Sequence, residues 1–196
     1  MEIDFITAFG RLLRDGKLRD AFAASPQAAA EQVQLRPSDR PIWLQLTPSD
    51  VESQADVLLQ KRMDVVKFMA PQTSRRLGEK LWSVFHRYGR INWPPERSAK
   101  IYDTFLFCQY LRVQQSDAVV ASEWNRMSFA LSKQRAALCW VQMPVGKKKA
   151  RPGLQFFLRG RDQRWWEIFV YLGFEWHRPT AGTMQLKAVL TTDGHE

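Results

Sequence analysis

Residues 135–174 read RAALCWVQMPVGKKKARPGLQFFLRGRDQRWWEIFVYLGF, and this stretch decides the fold class. Apolar side chains alternate with other residues along it, which is the pattern of half-buried β-strands. The segments GKKKARPG (146–153) and GRDQ (160–163) interrupt the alternation and predict a hairpin loop and a second turn. The stretch therefore predicts a three-stranded antiparallel meander, and residues 184–190 offer a fourth strand.

The sequence before residue 134 has a different period. Apolar residues recur there every three or four positions, which predicts about seven amphipathic helices. The clearest helix covers Val51–Met69, and Thr47 is placed to cap its start. Another helix is predicted over residues 73–88, with Gly89 as its C-terminal cap.

Together these patterns predict an α+β fold with two domains. An all-helical N-terminal domain covers residues 1–133, and a small antiparallel sheet of three or four strands covers residues 134–196. The chain has 196 residues, of which 45% are hydrophobic, so it can bury a core without disulfides. Global disorder is excluded by the same composition.

The compartment can be predicted from what the sequence lacks. The N-terminal residues show no secretory signal, and the two cysteines, Cys108 and Cys139, lack the spacing of a metal or redox motif. No apolar run approaches the ~20 residues of a membrane-spanning helix. We therefore expect a cytoplasmic protein without membrane contact.

Positive charge is concentrated in the predicted sheet. The chain carries a net charge of +9, and residues 135–178 contain nine Lys and Arg against three acids, a surplus of six. A basic surface of this kind favours an anionic partner, such as nucleic acid, lipid or an acidic peptide. Charge alone does not choose among these partners.

The sequence shows no catalytic or metal-binding constellation. The three histidines, His86, His177 and His195, are too scattered for a metal-binding helix, and the segment GKKKARPG lacks the GK[ST] of a phosphate loop. Both cysteines fall on apolar faces and are interpreted as buried hydrophobic residues. We expect no catalytic residue, no metal and no cofactor in this chain, which is then not an enzyme.

The adjacent aromatic pairs Phe156-Phe157 and Trp165-Trp166 leave rings on both faces of the predicted sheet. Because strand side chains alternate, Trp165 and Trp166 point to opposite faces, and only one of them can join a core. The second face either packs on the helical domain or forms a binding surface. The residues that we predict for peptide binding are Phe157, Arg159, Arg161, Trp165 and Trp166.

Two functions fit a small basic sheet with exposed aromatic rings. An open sheet edge can accept an acidic peptide as an added strand, with backbone hydrogen bonds for affinity and side-chain contacts for selectivity. The alternative is a DNA- or single-stranded nucleic-acid-binding protein, which would stack bases on the rings and contact phosphates through the cations. Against this alternative, the helical half shows no recognition helix lined with Arg, Asn and Gln.

The helical half resembles a bacterial domain that accompanies multinuclear non-haem iron oxidative enzymes in ribosomal peptide natural product biosynthesis. The resemblance covers roughly Phe5–Leu111, and its most specific part is QADVLLQKR followed by P-x-T and LG. The matching segments are LLRDGKLRDAF (12–22), SPQAAAEQV (25–33), SQADVLLQKRMDVV (53–66), PQTSRRLGEKLWSVFHRY (71–88) and WPP (93–95).

The resemblance implies an accessory role. Members of that family do not catalyse the reaction: they pair with a TIM-barrel iron enzyme and help to present a ribosomally made precursor peptide. The order of helices followed by an aromatic sheet is most similar to the partner subunits of the 3-thiaglutamate pathway, whose iron enzyme acts on a C-terminal cysteine. The expected roles are then docking of the partner enzyme by residues 1–133 and recognition of the precursor, or leader, peptide by residues 134–196, with iron in the partner.

Overall fold

The computed structural model describes residues 2–94, 99–114, 116–145, 149–161, 164–171 and 188–189. Within these ranges helices are followed by an antiparallel sheet, which confirms the predicted α+β class. The helices are α1 (Phe5–Arg14), α2 (Gly16–Ala24), α3 (Pro26–Gln32), α4 (Arg40–Trp43), α5 (Pro48–Met69), α6 (Pro71–Leu77), α7 (Lys80–Ile91), α8 (Ala99–Gln114) and α9 (Ala121–Leu131). The strands are β1 (Ala136–Val145), β2 (Lys149–Arg159), β3 (Trp165–Tyr171) and β4 (Ala188–Val189).

The chain divides into two compact units, residues 1–103 and residues 104–196. The predicted boundary at 133/134 lies C-terminal to this division. The difference arises because α9 packs on β1 and β2, so this helix belongs to the same unit as the sheet. The alternating pattern marks where strands begin, but it carries no information about which helix covers them.

Capping residues fix the helix ends in the first unit. The Thr47 hydroxyl accepts a hydrogen bond from the Asp50 amide at 3.2 Å, which confirms the predicted start of α5. Asp15 caps α2 in the same way, through the Lys17 amide at 2.9 Å. Pro71 follows α5 and opens α6.

The single helix predicted over residues 73–88 is wrong. The structure divides this segment into α6 and α7, because Gly78 adopts φ +52° and ends α6. Gly89 is not a C-terminal cap either, since it lies inside α7. A Cβ at Gly89 would come within 2.7 Å of Leu59 Cδ2, so the glycine allows close packing of α7 on α5.

Trp43 lies at the centre of the first unit's core. It is fully buried, its indole N–H donates to the Pro26 carbonyl at 2.9 Å, and its ring meets Phe22 edge to face at 5.3 Å. Helices α1, α2, α3 and α5 and the segment after α3 contribute the other buried apolar residues of this cluster: Ala8, Leu12, Leu18, Phe22, Ala29, Ala30, Val33, Leu35 and Val51.

The sheet is antiparallel throughout, with strand order β1-β2-β3-β4. The predicted hairpin loop at 146–153 is too long, because β2 already begins at Lys149. The predicted fourth strand is represented by β4, which pairs with Phe169 and Val170 of β3, and the rest of 184–190 lies outside the described residues.

Candidate peptide-binding surface

The outer edge of β1 has no strand partner among the described residues, because β1 is the terminal strand of the sheet. The Arg159 amide donates to the Arg135 carbonyl at 2.8 Å. In an antiparallel pair such bonds recur at every second residue, so the odd-numbered residues of β1 bond to β2. The even-numbered residues Ala136, Leu138, Trp140 and Gln142 therefore direct their backbone N–H and C=O groups outward.

Pro144 occupies the next outward position of β1. A proline has no backbone N–H, so the row of outward donors ends at Gln142. The open edge thus offers four donors in succession. That length suits a short extended segment.

The other edge of the sheet is partly occupied. The chain's own β4 pairs with β3 at Phe169 and Val170. A guest strand would compete there with an existing pairing, whereas the edge of β1 has none in the described part of the chain. The structure therefore favours β1 over β3 as the edge for strand addition.

One face of the sheet, which we call the outer face, is apolar and exposed. Leu138 and Trp140 are each 58% exposed, Leu158 is 47% exposed and Trp166 is 44% exposed. None of its described positions carries an ionisable side chain, and exposed apolar surface of this extent marks interaction sites. The outer face comprises Ala136, Leu138, Trp140, Gln142, Pro152, Leu154, Phe156, Leu158, Trp166, Ile168 and Val170.

The opposite, inner face is covered by α9. Phe157 is 0% exposed, and its ring stacks on that of Phe129 with 4.9 Å between the ring centroids. The ring centroid of Trp165 lies 6.1 Å from that of Phe157. Of the predicted peptide-binding residues, Phe157 and Trp165 thus pack against α9. Both side chains belong to the hydrophobic core between α9 and the sheet and are not available to a bound peptide.

Arg159 is also engaged on the inner face. Its guanidinium donates to the carbonyls of Ser132 and Phe129, each at 2.7 Å, and lies 5.0 Å from the Phe129 ring centroid. These carbonyls are at the C-terminal end of α9, where amide donors four residues further along the helix are lacking, although the Phe129 carbonyl also accepts from the Ser132 amide at 3.1 Å. Arg159 therefore supplies hydrogen-bond donors to the carbonyl groups at the end of α9.

Arg161 and Trp166, the other two predicted peptide-binding residues, are exposed. Trp166 lies on the outer face, and Arg161 lies in the turn between β2 and β3. Peptide contact by these two residues stays a prediction. The structure does not bring all five predicted residues to one surface, because three of them face α9.

A polar cluster between α9 and the inner face was not predicted from the sequence. Gln155 is fully buried, and its amide donates to the Ser122 carbonyl at 2.9 Å and to Glu167 at 2.5 Å. Asn125 donates to Gln155 at 3.1 Å, and Arg126 donates to Glu167 at 2.6 Å. A one-residue slip of β2 or β3 would leave these groups unsatisfied, so the cluster fixes the register. The only signal for it in the sequence is Gln155 and Glu167 at inward-facing strand positions.

Exposed cations gather at one end of the sheet. Lys133 and Arg135 precede β1, and Arg161 and Arg164 flank the β2–β3 turn at the same end. All four side chains are exposed. Glu167, by contrast, is held by Arg126 on the inner face. This end of the sheet therefore presents positive charge to an incoming chain.

A second polar cluster lies in the first unit. Ligand-type atoms of Glu52, Asp56 and His86 lie within 4.8 Å of one another. Asp56 Oδ1 lies 3.0 Å from His86 Nε2. The Glu52 carboxylate forms ion pairs with Arg19, whose Nε lies 2.8 Å from Oε2, and with Arg90. Because two arginines already neutralise Glu52, we assign the cluster to packing of α5 against α2 and α7. The expectation that this chain holds no metal stays a prediction.

None of the helices in the described ranges is both long enough and apolar enough to cross a lipid bilayer. Comparisons with protein-family models, with curated proteins and with solved structures found no match for this chain.

Proposed function

We propose that this protein is a non-catalytic subunit that binds a ribosomally made precursor peptide by strand addition and presents it to an iron-dependent oxidative enzyme that modifies a cysteine. The observation that carries the proposal is the outer edge of β1, where four alternate residues direct backbone groups away from the sheet. An extended peptide is the ligand that satisfies such a row.

Backbone pairing alone supplies a limited affinity. The four outward residues can form about eight hydrogen bonds, each with a net contribution of about 0.5–1.5 kcal/mol. Ordering the guest costs roughly 1–2 kcal/mol for each residue that becomes fixed. Specific capture therefore needs side-chain contacts, and the exposed outer face beside Leu138 and Trp140 can provide them.

The polar groups of the sheet favour binding over chemistry. Gln155, Glu167 and Arg126 are engaged with one another on the inner face, and the described positions of the outer face include no ionisable group. An arrangement of this kind suits a surface that holds a peptide while another protein performs the reaction. The resemblance of the helical half supplies the second part of the proposal, namely the iron enzyme.

The test uses two substitutions at Leu138. Leu138→Pro removes an outward N–H and leaves the β1–β2 hydrogen bonds in place, whereas Leu138→Ala keeps the N–H and removes the side chain. The probe is a synthetic extended peptide that ends in cysteine, titrated calorimetrically into this protein. We expect Leu138→Ala to weaken binding about tenfold, as the loss of buried apolar area predicts. Leu138→Pro should weaken it roughly a hundredfold, because it removes the same side chain and also leaves a peptide carbonyl unpaired.

Amide hydrogen exchange by NMR gives an independent readout of the same event. On peptide binding, the amides of Leu138 and Trp140 should become protected, whereas those of Ala137 and Cys139 are already bonded to β2. Binding that leaves the alternate amides unprotected would contradict strand addition at β1. Binding unaffected by Leu138→Pro would contradict it as well.

Nucleic-acid binding is the second candidate, because Trp140 and Trp166 are exposed on the same unit as four cations. A single-stranded oligonucleotide in a filter-binding assay tests this candidate. Binding whose logarithm falls steeply with the logarithm of salt concentration would support it. No retention at low salt would exclude it.

A further inference from the structure

We infer that the guest peptide has a directional pattern: two apolar residues separated by one residue, followed three positions later by a carboxylate. In this register the apolar pair lies opposite Trp140 and Leu138, and the carboxylate lies opposite Arg135. The inference rests on the proposed strand addition at β1. It goes further by naming which peptides that edge selects.

The apolar pair follows from the side chains that would flank the guest. Residues directly opposite each other in an antiparallel pair point to the same face, with Cβ atoms about 4.5–5.5 Å apart. Leu138 and Trp140 point to the outer face, and each is 58% exposed without a guest. Apolar guest residues at these two positions would cover both side chains, whereas charged residues there would face a surface that offers no counter-charge.

The direction follows from the rest of the sheet. All described pairings in it are antiparallel, and antiparallel pairing is the more stable arrangement per residue. An antiparallel guest runs from a position opposite Gln142 toward a position opposite Ala136. Its C-terminal side therefore reaches the start of β1.

The carboxylate follows from the residue just before β1. Arg135 directly precedes β1, its carbonyl accepts a hydrogen bond from the Arg159 amide, and its side chain is exposed. It forms no ion pair with any described residue. Lys133, also exposed, adds a second positive charge at the same end. An acidic guest residue three positions after the one opposite Leu138 would meet this charge.

The experiment compares three labelled peptides by fluorescence anisotropy. The first has the core Leu-Thr-Leu-Thr-Thr-Glu, the second has the same residues in reverse order, and the third has lysine in place of glutamate. Each is titrated against the full-length wild-type protein, against Arg135→Glu, against Arg87→Glu and against Leu138→Pro. Arg87 is exposed on α7 in the other unit, so its substitution matches the change in net charge.

We expect wild-type protein to bind the first peptide roughly threefold to tenfold more tightly than the other two, as expected when an attractive exposed ion pair is replaced by a repulsive one or lost. Arg135→Glu should reverse the preference between the glutamate and lysine peptides, and Arg87→Glu should leave it unchanged.

Two other results are informative in different ways. Equal affinity for all three peptides, together with loss of binding in Leu138→Pro, would keep strand addition and overturn the directional pattern. If no peptide bound, or if Leu138→Pro bound as wild type does, strand addition would be overturned and the pattern with it. The failure of the inference is therefore distinguishable from the failure of the proposed function.

Discussion

At the scale of single residues, Arg159 shows how tertiary contacts reassign a charge. Its position among aromatic residues in a basic segment predicts an exposed peptide-binding cation. In the structure its guanidinium instead satisfies the carbonyl end of α9 and lies against Phe129. The sequence could not reveal this role, because the carbonyls come from a helix that ends 28 residues earlier, at Leu131.

We expect Arg159→Met to lower the free energy of unfolding by about 2–4 kcal/mol. The substitution keeps much of the apolar stem and leaves the helix-end carbonyls without charged donors. Urea denaturation followed by far-UV circular dichroism would measure the change. Arg161→Met is the matched control, and we expect it to change stability by less than about 0.5 kcal/mol because Arg161 is exposed. Equal effects of the two substitutions would contradict the capping role.

Cys108 supports a prediction about pH. Burial raises the pKa of this thiol from 9.0 to about 12, and the charge of Glu123 adds to the effect. Between these two values the unfolded chain loses the proton while the native protein keeps it, so stability falls as pH rises. This contribution is fully present below pH 9 and is lost progressively toward pH 12.

The measurement compares wild type with Cys108→Ala by urea denaturation at about pH 8 and about pH 10. The free-energy difference between the two proteins should narrow by about 1 kcal/mol at the higher pH, because only wild type carries the thiol. Other groups that titrate in this range act on both proteins and cancel in the comparison. A difference that stays constant with pH would show that the native thiol ionises normally.

At the scale of elements, the spacing of apolar residues predicts the interiors of helices and strands better than their ends. The stripe over residues 51–69 corresponds to α5, and the alternation after residue 135 corresponds to β1, β2 and β3. The break at Gly78 escapes the pattern, because the apolar spacing continues across it. Glycine roles that depend on another element, such as that of Gly89, cannot be read from one segment.

Gly16, at the start of α2, supports a prediction about helix packing. A Cβ built there would lie 2.5 Å from the Arg90 carbonyl oxygen and 2.6 Å from Arg90 Cγ. Because the carbonyl belongs to the backbone of α7, the clash forces α2 and α7 apart. We expect Gly16→Ala to lower the free energy of unfolding by about 1–3 kcal/mol.

Gly10→Ala is the control for Gly16→Ala. Gly10 lies inside α1, and the nearest atom to a Cβ built there is Arg14 Nη2, at an ordinary 3.6 Å. Alanine is the better helix former, so we expect a gain of about 0.5–1 kcal/mol. Urea denaturation of both variants should give changes of opposite sign. Changes of the same sign would contradict a steric clash between residue 16 and Arg90 as the cause of the destabilisation.

At the scale of the whole molecule, charge is unevenly distributed between the two units. Residues 104–196 contain 13 Lys and Arg against 7 acids, and residues 1–103 contain 16 against 13, so the surplus is six in the first case and three in the second. Glu123 is buried and Glu167 is held by Arg126. Arg126 and Arg159 are engaged as well, so the surplus of six in the sheet unit is unchanged, and a surplus of this sign favours rapid association with an anionic partner.

The candidate site shows where sequence reasoning stops. Alternation correctly places Trp165 and Trp166 on opposite faces, but it cannot say which face a helix covers. The answer depends on α9, which the sequence groups with the helical domain and the structure groups with the sheet. The hydrogen-bonding direction of β1 is likewise a property of strand pairing, so the open edge emerges only from the fold.

Pro144 has a consequence for self-assembly. A long flat sheet margin invites further copies of a protein to stack edge to edge into fibres, and one proline that cannot donate interrupts such stacking. Because Pro144 stands at an outward position near the end of β1, two copies cannot pair along the whole strand. The proline therefore limits edge-to-edge pairing of two copies to the part of β1 that precedes it.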